Sequence, residues 1–188
     1  MYRHLTIVLF AAAAATTSAG VVTASPPDDA TIGDPTSAVY GTETIDLAGD
    51  WGTASACVEL GDVTECYDTD TELRAAHPEV LRAARSVGVA KTAAAAGGLT
   101  CSSSLRLYNG TSYTSTILYL NTRGVIHNLS NFGFDNATSS YRVGACAAGF
   151  YSLPGLAGAI YPGYTGANAQ YASMAAGWNN VVSSVLLY

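Results

Sequence analysis

The sequence predicts an all-β domain, preceded by a small element of one hairpin and helical turns. Short apolar runs separated by glycine, asparagine and serine fill the chain from Cys101 to its end, a pattern typical of a β-sandwich. The segment FDNATSSY at 134–141 recurs 44 positions later as WNNVVSSV at 178–185. A repeat with a period of about 20 to 50 residues indicates a duplicated structural unit. Residues 101–188 therefore predict one pseudo-symmetric domain.

The first 24 residues have the pattern of a secretory signal peptide. Arg3 and His4 precede a short apolar run, and small residues provide a cleavage site after Ala24. A transmembrane anchor is the alternative, but the run is too short for one and ends in hydroxyl residues at 16–18. We therefore expect a secreted, extracellular protein with no membrane attachment after cleavage. Residues 25–38, rich in Pro, Asp and Thr, predict a disordered lead-in.

Residues 39–88 predict a small acidic module that begins with a hairpin. Two apolar segments, 57–60 and 63–67, flank the turn residues Gly61 and Asp62. Helical signals follow the hairpin, and the module ends before an Ala- and Gly-rich stretch that predicts a linker over residues 89–100.

The helical signals of this module lie on both sides of a proline. Thr69 and Glu72 have the spacing of a capping box, which predicts a short helix through Ala76. Pro78 is well placed to begin a second helix with Val80 on its apolar face. That helix either docks on a partner or, as we favour, packs on its own hairpin.

The predicted strands of residues 101–188 form two sets of four. They lie around 105–107, 117–120, 124–126 and 141–143 in the first motif (101–145), and around 150–151, 159–161, 171–174 and 185–188 in the second (146–188). Glycine, asparagine and serine separate them, so short strands joined by turns are expected throughout.

Each copy of the repeat supplies only oxygen ligands. Carboxylate or carboxamide oxygens are followed at short range by serine hydroxyls, with loop carbonyls between them. Such a set suits calcium, and neither copy contains the His or Cys that zinc or copper would need. One copy alone would be explained as an Asx and Ser turn, but two copies in matching context favour a metal site.

The repeat and its spacing resemble the βγ-crystallin domain and its microbial calcium-binding relatives. That family is a sandwich of two Greek-key motifs, each opening with an aromatic, four residues, an aromatic, one residue and a glycine. The first opening here runs from Tyr108 to Ser115, with Ser115 at the glycine position. The second runs from Tyr151 to Gly158, with Leu156 at the second aromatic position. The resemblance covers residues 101–188, and each departure predicts a weaker hairpin.

The resemblance also implies a calcium ligand set. A mid-motif carbonyl and a serine hydroxyl bind the ion in each motif, while Asx side chains reach across to the other one. The implied ligands are Asp135, Asn136, the Ala137 carbonyl and Ser139 in the first loop, and Asn179, Asn180, the Val181 carbonyl and Ser183 in the second. With one formal negative charge in the two loops, we expect up to two weak Ca²⁺ sites that stabilise the fold, with dissociation constants of about 10⁻⁴ to 10⁻³ M.

Four cysteines in a secreted chain allow three disulfide pairings. We favour Cys57 with Cys66, which would brace the N-terminal hairpin, and Cys101 with Cys146, which would join the starts of the two Greek keys. A CxxC redox or zinc motif is absent from the sequence.

Charge divides the mature chain into two parts. Residues 25–100 carry four basic against 13 acidic side chains, whereas residues 101–188 carry three arginines and one acid, Asp135. The acidic part either lies against the mildly basic domain or extends from it as a solvated tail. The contrast also suggests that residues 25–100 are a cleavable prosegment. Without a strongly basic patch, nucleic acid is not an expected partner.

The sequence does not predict an enzyme. Residues 101–188 contain no pair of carboxylates, and their histidine, His127, is most simply a strand-edge residue. By analogy with secreted bacterial inhibitors of the same fold, we expect a monomer that inhibits a metalloproteinase. The alternative is an extracellular carbohydrate- or cell-wall-binding module stabilised by calcium. Nine of the 12 tyrosines follow Cys101, and exposed tyrosines can stack on sugars.

Overall fold

The computed structural model of the chain describes residues 36–81 and 99–188. The predicted signal peptide, the later turns of the predicted second helix, and most of the predicted lead-in (25–38) and linker (89–100) lie outside these residues. Where the two predictions overlap the described part they differ from it, because Ser37, Ala38 and Thr100 lie in strands. Within the described part, no helix is both long enough and apolar enough to cross a bilayer.

The described residues form twelve strands and one α-helix. Their bounds are β1 Ser37–Tyr40, β2 Glu43–Asp46, β3 Ala56–Glu59, β4 Thr64–Tyr67, α1 Asp70–Ala76, β5 Thr100–Tyr108, β6 Ile117–Thr122, β7 Ile126–Asn128, β8 Ser140–Arg142, β9 Ala148–Leu153, β10 Ala157–Ile160, β11 Gln170–Tyr171 and β12 Ser184–Leu187. Four short 3₁₀ turns cover Pro78–Leu81, Thr111–Tyr113, Leu129–Phe132 and Pro154–Leu156.

Strands β5 to β12 form two Greek keys that exchange one strand each. The first motif places β8, β5 and β6 side by side, and the second places β12, β9 and β10 in the same order. The third strand of each motif joins the other sheet, since β7 pairs with β12 and β11 pairs with β8. This symmetry confirms the predicted all-β fold of two Greek-key motifs.

Two predicted strands differ from the observed ones. The run predicted at 124–126 becomes β7 at Ile126–Asn128, and the run at 171–174 is reduced to the two-residue strand β11. After β11 the backbone leaves the sheet, because the Ala172 carbonyl accepts from the Ser112 amide and the Met174 amide donates to the Ser139 carbonyl. These contacts tie the end of β11 to the hairpin and loop of the first motif.

The N-terminal element, residues 36–81, extends the first sheet, which contains β5, β6, β8 and β11. The hairpin β3–β4 forms as predicted, and β3 then pairs in parallel with β6, so the sheet has eight strands in the order β11-β8-β5-β6-β3-β4-β1-β2. Glu59, at the end of β3, is fully buried, and its carboxylate accepts from the amides of Asn121 (3.0 Å) and Thr122 (2.9 Å). The described residues of the acidic part, 36–81, thus lie against the domain, and cleavage of residues 25–100 would uncover the edge of β6.

The two faces of the first sheet bury separate apolar clusters. On the inner face, residues of the N-terminal element such as Leu47 and Trp51 share the sandwich core with Leu107 and Phe150. On the outer face, Leu73 of α1 and Val80 cover Val58, Tyr108, Ile117 and Tyr119. Both clusters therefore contain residues from the N-terminal element and from the Greek keys.

Helix α1 begins and ends where the sequence predicts. Thr69 accepts from the Glu72 amide and Glu72 accepts from the Thr69 amide, both at 3.2 Å, so the capping box is confirmed. At the other end, His77 Nε2 lies 2.8 Å from the Glu65 carboxylate and 2.9 Å from the Tyr67 hydroxyl. Hydrogen bonds from Tyr67 and His77 lower the pKa of Glu65, while burial and then Glu65 raise the pKa of Tyr67 to about 12.

Both favoured cysteine pairs are bonded in the structure. Cys57 and Cys66 are directly opposite each other in β3 and β4, with Cα atoms 4.1 Å apart. Cys101 in β5 is bonded to Cys146, just before β9, so this disulfide links the first strands of the two motifs. The two cysteines are 45 residues apart in sequence. In the chain-entropy account, closing a loop of that length stabilises a fold by about 3 to 4 kcal/mol.

Because the N-terminal element shares a sheet and an apolar cluster with the Greek keys, Leu73→Ala is expected to destabilise the whole described fold. Leu73 is fully buried, and its truncation should cost about 2 to 5 kcal/mol of the free energy of unfolding. Urea unfolding monitored by far-UV circular dichroism and by tryptophan fluorescence should show one coincident transition at lower urea.

Leu81→Ala is the matched control, since Leu81 follows the same helical segment but is 38% exposed and should change stability by no more than about 0.5 kcal/mol. A Leu73→Ala effect confined to the N-terminal element, with the transition of Trp178 unchanged, would contradict this coupling.

Candidate metal centre

The two repeated loops lie against each other at one end of the sandwich. The Asn136 amide donates to the Val182 carbonyl, and the Asn180 amide donates to the Thr138 carbonyl, both at 3.0 Å. The two asparagines have nearly the same left-handed backbone, with φ of 53° and 56°. The two copies of the sequence repeat therefore hydrogen-bond to each other reciprocally in the fold.

Side chains cross between the loops in the same reciprocal way. The Ser139 hydroxyl donates to Asn180 Oδ1 at 3.0 Å, and the Ser183 hydroxyl donates to Asn136 Oδ1 at 3.4 Å. Both serines are nearly buried, whereas both asparagines are exposed. Each pair thus brings a hydroxyl and a carboxamide oxygen together from different motifs, at the rim of the sandwich.

The remaining sequence-predicted ligands lie in the same two loops. Within the described residues, the carbonyls of Ala137 and Val181 accept no hydrogen bond. The Asp135 carboxylate accepts from Asn136 Nδ2 at 3.0 Å, and Asn179 is exposed. The structure therefore brings Asn136, Ser139, Asn180 and Ser183 into direct contact and leaves the other four positions as neighbours of these pairs.

The donor chemistry of the two loops fits a hard cation. All candidate donors are oxygens, and Asp135 is the one carboxylate among them. In residues 36–81 and 99–188 there is no group of three or more His, Cys, Asp or Glu side chains arranged to hold a metal. A zinc or copper centre is therefore not supported in this part of the chain, while carbonyl, carboxamide and hydroxyl oxygens suit Ca²⁺.

The last serine of each repeat hydrogen-bonds to the hairpin that opens its own motif, at 108–115 or 151–158, and not to the other repeated loop. Ser140 accepts from the Tyr113 amide (3.1 Å) and donates to the Gly110 carbonyl (2.6 Å). Ser184 makes the equivalent bonds, with the Leu156 amide (3.0 Å) and the Leu153 carbonyl (2.7 Å). The sequence showed these serines as part of the repeat but gave them no role.

The two departures from the family's hairpin pattern are both accommodated. Ser115 has a φ of 68° and the corresponding Gly158 has a φ of 77°, so the serine adopts the backbone that glycine adopts in the second motif. Leu156, at the second aromatic position of the second motif, has a φ of 62°, and the corresponding Tyr113 has a φ of 63°. Both hairpins therefore adopt the same backbone conformation, although the left-handed φ of Ser115 costs about 1 to 2 kcal/mol relative to glycine.

The N-terminal element contacts the backbone that leads into the first loop. Trp51 Nε1 donates to the Phe132 carbonyl at 2.7 Å, and the Trp51 ring lies 5.7 Å from that of Phe134. Between them, a Cβ on Gly133 would lie 2.1 Å from the Leu47 carbonyl oxygen, so glycine is required there. Sequence reasoning missed this support, because nothing local connects Trp51 with a segment 81 residues away.

His127 does not join the loops. It lies in β7, an edge strand of the second sheet, and is fully buried. Its Nε2 donates to the Thr122 carbonyl at 2.7 Å. The expectation of a strand-edge residue is confirmed.

Comparison with known proteins returns βγ-crystallin domains of known structure. They include a domain from Clostridium beijerinckii (18% identity, 45% of this chain and 97% of that one, TM-score 0.38), one from Flavobacterium johnsoniae (23%, 45% and 92%, TM-score 0.35) and the βγ-crystallin of Ciona intestinalis (20%, 45% and 99%, TM-score 0.38). No family model and no curated protein matches the chain. The solved structures belong to the family that the sequence resembles.

Because Ser115 adopts a left-handed φ, Ser115→Gly is expected to stabilise the protein. Relief of the backbone strain exceeds the extra entropy of glycine in the unfolded chain, which predicts a net gain of about 0.5 to 1 kcal/mol. The measurement is the urea midpoint at constant m-value. Ser130→Gly is the control, since Ser130 is exposed without a positive φ and should lose about 0.5 to 1 kcal/mol. Equal losses in both variants would contradict the strain argument.

Proposed function

We propose that this chain is a calcium-binding protein of the βγ-crystallin type, with up to two ions bound by the paired loops. The observation that carries the proposal is the reciprocal pairing of Ser139 with Asn180 and of Ser183 with Asn136. Each pair offers a hydroxyl and a carboxamide oxygen, and the nearby Ala137 and Val181 carbonyls accept no hydrogen bond from any described residue. Oxygen sets of this kind are what Ca²⁺ takes from proteins.

The charge of the loops determines the strength of the proposed binding. Asp135 is the one carboxylate in them, and affinity for Ca²⁺ rises with the number of charged ligands. We therefore propose dissociation constants at the weak extracellular end, about 10⁻⁴ to 10⁻³ M. Bound calcium would act by stabilising the fold, with a gain of about 2.7 kcal/mol per site at a hundred times the dissociation constant.

We also propose that the protein is secreted. The two disulfides fit an oxidising compartment, and the first 24 residues have the pattern of a signal peptide. Calcium is abundant outside cells, so weak sites could be filled there. We expect mass spectrometry of the exported protein to show Ser25 as its first residue.

The biological target stays a prediction. The disulfide-braced hairpin, with Val63 exposed near its tip, supplies a rigid loop of the kind that inhibition of a metalloproteinase needs. Tyr164, Tyr171 and Tyr188 are exposed and support the alternative, binding of extracellular polysaccharide. An inhibition assay with a purified metalloproteinase and a pull-down on chitin or cell wall distinguish the two. The absence of enzymatic activity and the monomeric state also remain predictions.

Calcium should raise the melting temperature, and Ser139→Ala or Ser183→Ala should each remove about half of that rise. Each serine supplies one hydroxyl ligand, so the double variant should lose the rise entirely. The measurement is the difference in melting temperature between millimolar calcium and chelator. Each variant is its own reference, so the lost hydrogen bond to Asn180 or Asn136 cancels. Ser130→Ala, outside the loops, should keep the full rise, and no rise in the wild type would overturn the proposal.

Asn180→Asp should tighten calcium binding about tenfold, because it adds a second carboxylate beside Ser139. Isothermal titration with calcium measures the change. Asn168→Asp is the matched control, because Asn168 is also exposed with a left-handed φ, 63°, but lies in a different loop. Equal tightening in both variants would mean that total charge, not the loop, attracts the ion.

A further inference from the structure

Four polar or aromatic side chains form a row across the outer face of the first sheet. Strand pairing places each directly opposite the next, in the order Gln170, Arg142, Arg106 and Tyr119. Side chains directly opposite one another project on the same face. Leu105 and Leu107, the neighbours of Arg106 in β5, are buried in the sandwich core. The row therefore lies on the face away from the core.

The two arginines of this row are an unfavourable pair by themselves. Like charges directly opposite in a sheet destabilise it, yet Arg106 and Arg142 occupy such positions. Among residues 36–81 and 99–188, neither forms an ion pair with a carboxylate. The Nε atom of each arginine is buried, and no described group accepts from it.

Neighbouring rings restrict where the Arg142 guanidinium can lie. Its central carbon is 3.9 Å from the centroid of the Tyr113 ring, a cation–π contact. Tyr113 in turn packs edge to face on Tyr108, which is 2% exposed. The guanidinium is thus held before any ligand arrives, so little side-chain entropy would be lost on binding.

We propose that Arg106 and Arg142 form a binding site for a phosphate- or sulfate-type oxyanion. Such a ligand would cancel the repulsion between the two guanidinium groups and accept hydrogen bonds from their terminal nitrogens, which, unlike the Nε atoms, are not buried. Arginine presents its donors in a planar fork that matches oxyanions, and the carboxamide of Gln170 adds a neutral donor at the end of the row. The site uses none of the proposed calcium ligands.

Isothermal titration of the full chain with sodium sulfate tests the site, in calcium-free buffer with ionic strength held constant by sodium chloride. The wild type should bind saturably, and Arg106→Gln and Arg142→Gln should each weaken binding about tenfold or more. Arg123→Gln is the matched control, because Arg123 is exposed and lies in the turn after β6, outside the row. It should bind like the wild type.

Absence of saturable sulfate binding by the wild type, or an equal loss in Arg123→Gln, would overturn the proposal. If thermal melts show that Arg142→Gln is unfolded, Arg142→Lys replaces it, because lysine keeps the charge but lacks the planar fork of donors. Wild-type affinity in Arg142→Lys would equally overturn the site.

A parallel titration with dextran sulfate identifies the source of the group. Tighter binding of the polymer that sulfate competes away indicates a polymeric ligand, and equal affinity per sulfate indicates a free anion.

Discussion

The exchange of third strands between the two Greek keys is the constraint on which the rest of the structure depends. β7 of the first motif pairs with β12 in the second sheet, and β11 of the second motif pairs with β8 in the first. The chain between β7 and β8, and the chain between β11 and β12, must therefore each cross from one sheet to the other. The crossings end in the two repeated loops, which consequently meet. Reciprocal hydrogen bonds between Asn136, Asn180 and their partners follow from this geometry.

The N-terminal element breaks the symmetry that the duplication establishes. It covers the edge of β6 through the parallel strand β3, whereas the equivalent strand β10 remains an edge of its sheet. It also contacts the first loop's approach through Trp51 and Leu47, and the structure gives the second loop no such support from residues 36–81. The two loops, in which Asn136 and Asn180 have nearly the same φ, thus have different surroundings.

The Greek-key domain, residues 101–188, contains only four charged side chains. The single carboxylate after residue 99, Asp135, lies in the paired loops, where it is the only formal charge available to a cation. Arg106 and Arg142 lie together on the outer face of the sheet. Most acidic residues belong to the N-terminal element, and Glu59 and Glu65 there serve as internal hydrogen-bond acceptors. Within residues 101–188, the charges are therefore confined to a few separate positions.

The sequence by itself determined the features that depend on neighbouring residues or on a repeat: the capping box at Thr69, the β3–β4 hairpin, and the duplicated loops with Ser139 and Ser183. Tertiary structure alone decided which elements meet. The parallel pairing of β3 with β6, the contact of Trp51 with Phe132 and the opposition of Arg106 and Arg142 each join distant segments. Local patterns record backbone preference and burial, but the register between strands far apart in the chain is set by packing of the whole core, so no single segment of sequence contains it.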